Sequence, residues 1–114
     1  MRELTAKDVT FVVYYEAGDI PVRGNVLASG DDAIDKAAED EILARLDNGD
    51  ATAWCVLWVT ADWEGYLGRT SLGCCSFGPN DNMRDLEAFA YEDDMYADAL
   101  ADLNAVIARH KAKL

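Results

Sequence analysis

The side chains of this sequence best placed to do chemistry are carboxylates at helical spacing. Asp31, Asp35 and Glu39 follow one another at four-residue steps, and so do Asp94, Asp98 and Asp102. Four residues advance an α-helix by about 6 Å, comparable to the separation of neighbouring phosphates along a nucleic-acid strand. Each row would therefore offer regular negative charge to a Lys/Arg groove on another protein. The plainer alternative is a solvated acidic face, the usual fate of a charge run. Like charges at i, i+4 nevertheless destabilise a helix slightly, and solubility alone does not require two such rows.

The charge is concentrated as well as regular. Residues 31–50 carry eight acids against Lys36 and Arg45, and residues 81–102 carry eight more against Arg84. Sixteen of the 22 Asp and Glu thus fall on or beside two helical stretches of a 114-residue chain whose net charge is −12. That balance argues against direct binding of nucleic acid or an anionic membrane and points to basic partners.

Other chemistries find little to work with. The single histidine, His110, stands among Arg109, Lys111 and Lys113, where positive charge suits the end of a helix. No Ser, Cys or Lys lies in a motif that would activate it as a nucleophile. "GYLGRTSLG" lacks the Gly-Lys-Ser/Thr end of a phosphate loop. "DNGD" at 47–50 lacks the terminal glutamate of an EF-hand. Cys55, Cys74 and Cys75 form no C-x-x-C pair, and three reduced thiols, mostly buried, are expected. The expectation is a non-enzymatic chain with no catalytic residue, no metal and no cofactor.

The elements that position the acids follow from periodicity. "VTFVVYYEA", residues 9–17, is β-branched and aromatic and predicts a strand. Residues 18–30 hold Pro21 and three glycines and predict a loop, with a short edge strand around Val22 to Leu27. Residues 29–50 predict a helix, capped by Ser29 or Asp31, stopped at Asn48-Gly49, and burying a row of Ile34, Ala38, Ile42 and Leu46. A long strand follows at 53–63. "EGYLG" turns it back through a loop longer than the two-residue kind, and "RTSLGCCSF" returns as a second strand in which Gly73 suggests a bulge. A helix between Asp85 and His110 completes the chain, with a division near Tyr91 left open. The expectation is a single α+β domain over residues 1–114: a three-stranded antiparallel sheet with two helices on one face, in the order β-α-β-β-α. No apolar run approaches the roughly 20 residues of a bilayer span, and the amino terminus has no signal-peptide stretch, so a cytoplasmic protein is expected.

The strand "AWCVLWVTADW" contains all three tryptophans and is apolar on both faces. Ala53, Cys55, Leu57, Val59 and Ala61 alternate with Trp54, Val56, Trp58 and Thr60. If both helices cover the first set, Trp54, Val56 and Trp58 are left as an apolar contact surface, for a partner or for a homodimer.

"PVRGNVLASGDDAIDKAAEDEILARLDNGD", "TAWCVLWVTADWEGYLG" and "SLGCCSF" before an acidic helix resemble the small acidic proteins of phages and other mobile elements. The resemblance implies a role like that of the anti-CRISPR and anti-restriction proteins, which inhibit a host nucleic-acid-binding defence complex by direct binding. It carries over no site residue. The chain is therefore expected to mimic nucleic acid through Asp31, Asp35, Glu39, Asp94, Asp98 and Asp102. The alternative is a structural or oligomerisation module whose interface is the tryptophan face.

Overall fold

The computed structural model describes residues 3–26 and 30–113. Its elements are β1 (Thr10–Ala17), α1 (Asp32–Asp47), β2 (Cys55–Trp63), β3 (Tyr66–Cys75), α2 (Met83–Glu92) and α3 (Met95–Ala112), with single 3₁₀ turns at Ala6–Asp8 and Ala51–Ala53. The strands form one antiparallel sheet in the order β1-β2-β3. The α+β expectation is met, but the order is β-α-β-β-α-α. The carboxyl-terminal stretch is two helices rather than one. The break falls at Asp94, whose φ of 58° is left-handed, a conformation that aspartate tolerates better than most residues. The break puts Asp94 at the positive end of α3, where its charge is favourable.

The turn between β2 and β3 also differs from expectation. It has two residues, Glu64 and Gly65, at φ 47° and 87°. Positive φ at both positions is what a type I′ hairpin turn requires, and its twist matches that of the strands. Glutamate is an unusual occupant, which is why the turn was not legible. The stacked rings of Trp63 and Tyr66, 6.1 Å apart, flank it. Along β3 the alternation holds from Tyr66 to Gly73 and then slips by one: Cys74 is exposed at φ 57° and Cys75 is buried. That is the phase change of a bulge, one residue after the glycine that suggested it. No strand forms in residues 18–26, and Leu27 and Ser29 lie outside the described residues.

Two compact units make up the chain: Met1–Tyr14, Trp58–Ser71 and Met83–Leu114 in the first, Tyr15–Leu57 and Leu72–Asn82 in the second. In the first unit α3 lies directly on β3. A Cβ on Gly68 would fall 2.2 Å from the backbone nitrogen of Leu103 and 2.4 Å from the carbonyl oxygen of Ala99. Ala99 and Leu103 are fully buried beneath that contact, as are Leu86, Met95 and Ile107 nearly so. Asn104 on the same helix ties down the amino-terminal segment, accepting from the amide of Leu4 at 2.9 Å and donating to its carbonyl at 3.1 Å. In the second unit Val22, Ile42, Ala53 and Trp54 form a separate core, with Val26, Leu43 and Leu46 packed against it. Of the row on α1, Ile42 is buried, Ala38 and Leu46 are half-buried, and Ile34 is 54% exposed.

Gly68→Ala is expected to destabilise the protein by about 3 kcal/mol, because overpacking here would push two backbones apart. Gly73→Ala is the control, since a Cβ there meets only Ile20 Cδ1 at 3.6 Å. Urea unfolding of both variants reads the difference, and equal midpoints would show that α3 does not rest on Gly68.

Candidate functional site

The acidic row on α1 is largely committed to holding the second unit together. Asp31 is the N-cap, accepting from the amides of Ala33 at 3.0 Å and Ile34 at 3.3 Å, which satisfies two of the orphan donors of the first turn. Glu39 is buried, and its carboxylate accepts from the amide of Gly24 at 2.7 Å and from Arg23 at 3.2 Å. Arg23 also reaches Asp40 at 2.6 Å, and these hydrogen bonds raise its already high pKa. Glu39 therefore fastens the Pro21–Asn25 turn to the helix. Asp35, between them, is half-buried. Arg45 donates to Asp50 through Nε at 2.9 Å and Nη2 at 2.7 Å, and also bonds the carbonyl of Phe77. The Thr52 hydroxyl and then Arg45 hold the Asp50 carboxyl below its usual range. Its contribution to stability is thus present above the pKa of an unfolded aspartate and is lost as pH falls through the lowered value.

The row on α3 is divided. Asp102 accepts from the backbone amide of Arg69 at 2.9 Å, covering an outward-facing donor on β3, a strand at the edge of the sheet. Asp94 and Asp98 are exposed. With Glu87, Glu92 and Asp93 they surround the α2–α3 junction, and among the described residues none of these five forms an ion pair. Tyr91 stands among them 75% exposed, the most exposed large hydrophobic residue among the described ones. Its ring lies 6.3 Å from that of Tyr96 at a tilt of 54°. Sequence spacing alone passed over Tyr91, although its place directly before "EDD" was a usable signal.

The three residues expected to form one apolar surface have different surroundings. Trp54 is 4% exposed, inside the core of the second unit, and its Nε1 donates to the Ile20 carbonyl at 2.7 Å. The 18–26 loop and α1 thus cover it, and it offers no surface. Val56 is half-buried on β2. Trp58 is half-buried too; Tyr14 stacks on it with ring planes 5° apart, and the Arg69 guanidinium lies 5.7 Å from the ring. The Trp58 Nε1 finds no acceptor among the described residues. Val12 and Leu67 remain exposed.

Cys55 and Cys75 are buried and Cys74 is exposed, all three as free thiols. Burial, with the nearby Cys75 and Asp50, pushes the Cys55 thiol up to about 11. Among the described residues no group of three His, Cys, Asp or Glu side chains is arranged to hold a metal ion. No described helix is long and apolar enough to cross a membrane. Comparison with protein-family models, curated proteins and solved structures finds no match to this chain.

Two outcomes follow from these placements. Glu39→Ala should cost about 2 kcal/mol in urea unfolding, because it leaves the Gly24 amide and Arg23 without their acceptor, whereas Asp98→Ala should change stability by less than about 0.5 kcal/mol. Iodoacetamide should alkylate one thiol rapidly in the native protein, mapped by peptide mass to Cys74, with Cys55 and Cys75 reacting only on unfolding.

Proposed function

We propose that the chain is a non-enzymatic, cytoplasmic inhibitor of a host nucleic-acid-binding complex. On this reading it is of the anti-CRISPR or anti-restriction type, and its carboxylates occupy a basic surface that otherwise holds nucleic acid. The observation that carries this reading is a group of exposed carboxylates around the α2–α3 junction, Glu87, Glu92, Asp93, Asp94 and Asp98, that form no ion pair among the described residues, on a chain of net charge −12. Unpaired carboxylates in water are what electrostatic steering requires, since charges already neutralised by a neighbour add little to the field. Asp31 and Glu39 contribute to that field only as members of the net charge, being engaged within the second unit. The contact surface therefore centres on the first unit, with Asp94 and Asp98 retained from the original rows. Burial of Trp54 removes one of the residues on which a tryptophan-face dimer would depend, so the mimic reading is preferred.

The test is displacement of DNA from a CRISPR effector or a restriction enzyme, titrated with this protein at low and moderate salt. Displacement at low salt that weakens as salt rises is expected. A variant carrying Glu87→Gln, Glu92→Gln, Asp93→Asn and Asp98→Asn should lose about tenfold or more in potency, at roughly a few tenths to 1 kcal/mol for each exposed charge. Unchanged DNA binding at both salts would overturn the reading.

A further inference from the structure

The α2–α3 junction is concave as well as acidic. A cleft of about 390 Å³ opens there, lined by Tyr91, Glu92, Asp94, Tyr96 and Ala97. That volume lies within the range of small-ligand sites, about 300–1,000 Å³. Its walls are two phenol rings inclined at 54° and two carboxylates, and no basic side chain lines it. Tyr96 is fixed from behind, with Phe11 edge-on at 5.1 Å and 89°, so one wall of the cleft is rigid while Tyr91 forms the open one. We propose that this cleft receives the guanidinium or ammonium head of a basic side chain presented by a protein partner.

Three features select that occupant. Aromatic faces attract cations within about 6 Å of the ring centre, and the neighbouring carboxylates add charge of the complementary sign. An apolar occupant would desolvate Glu92 and Asp94 without pairing them. A calcium ion needs six to eight oxygens, which two carboxylates between phenol rings do not supply. The adjoining groove of about 420 Å³ shares Tyr91 and Tyr96 but includes Arg84, whose charge opposes a cation, so the site is the Glu92–Asp94 side of the ring pair. Glu87, on the Arg84 side, contributes to raising the Tyr96 hydroxyl after burial does, so carboxylate charge is felt at the Tyr96 ring. The inference deepens the proposed binding of a basic surface and rests on it for the source of the cation. The cleft itself is testable without a partner.

The probe is Nα-acetyl-arginine amide, followed through the backbone amide shifts of Tyr91, Glu92 and Ala97 in the full chain. Nα-acetyl-citrulline amide, of the same shape without the charge, is the control. Saturable shifts with the arginine probe alone, persisting at physiological salt, are expected. Tyr91→Ala should weaken them at least fivefold, Tyr91→Phe should keep them within about twofold, and Glu92→Gln should weaken them severalfold. Equal response to citrulline, or an unchanged response in Tyr91→Ala, would overturn the inference. Arginine binding without DNA displacement would leave the cleft standing and remove the inhibitor reading. Displacement by Tyr91→Ala at full potency would do the reverse.

Discussion

The first unit is organised around the absence of a side chain at Gly68. With no Cβ, the backbone of β3 approaches that of α3 so closely that any other residue would overlap Leu103 N and Ala99 O. That approach sets the height and rotation of α3, and other contacts depend on it. Asp102 comes within reach of the Arg69 amide, Asn104 meets the Leu4 backbone, and Tyr96 meets Phe11. Tyr66 meets His110 edge-on at 5.4 Å, which gives the only histidine a packing role. Because Phe11 holds Tyr96, the ring wall of the acidic cleft is positioned by the same contact. One wall of the candidate cleft is therefore held by packed rings, while Tyr91, Glu92 and Asp94 are exposed.

The regular spacing of the acids has a structural explanation on α1 and an open one on α3. A helix beginning at Asp32 needs an acceptor at residue 31, and two turns later the Pro21–Asn25 segment needs one for the Gly24 amide. Both needs fall on the same helical face, so two carboxylates eight residues apart meet them, and the i+4 pattern arises without any partner. On α3 only Asp102 has such a duty. A four-residue spacing is thus weak evidence for mimicry by itself; what matters is which carboxylates remain unpaired once the backbone has been satisfied.

Much of the fold was legible because it follows from local rules. The β-branched run of β1, the Asp31 cap and the Gly49 stop of α1, and the alternation of Cys55, Leu57, Val59 and Ala61 all express period and capping chemistry. The rest turned on conformations that residue type does not announce. Glu64 and Asp94 adopt positive φ where glycine or asparagine is the usual signal, which hid a two-residue hairpin and left the division between α2 and α3 undecided. The close approach at Gly68 was not legible because "EGYLG" reads as a turn, which leaves Gly68 outside the strand it belongs to. In the candidate site the acids were visible as a charge total, while the pairing state of each depended on loops and edges distant in sequence.

The two-sided tryptophan strand shows why a buried ring and a binding ring call for different surroundings. Trp54, Trp58 and Trp63 each have an internal partner: the Ile20 carbonyl, the Tyr14 ring with Arg69 above, and Tyr66. Large indoles gain most from such contacts, and an indole already stacked must lose those contacts before it can serve another molecule. The smaller phenol of Tyr91 meets only the tilted ring of Tyr96, 6.3 Å away, among the described residues. Tyr91 is mostly solvent-exposed and lies beside the carboxylates of Glu92 and Asp94. The proposed aromatic recognition therefore falls at the acidic helix junction, where an exposed ring and exposed carboxylates lie together, while the three indoles are engaged in internal contacts.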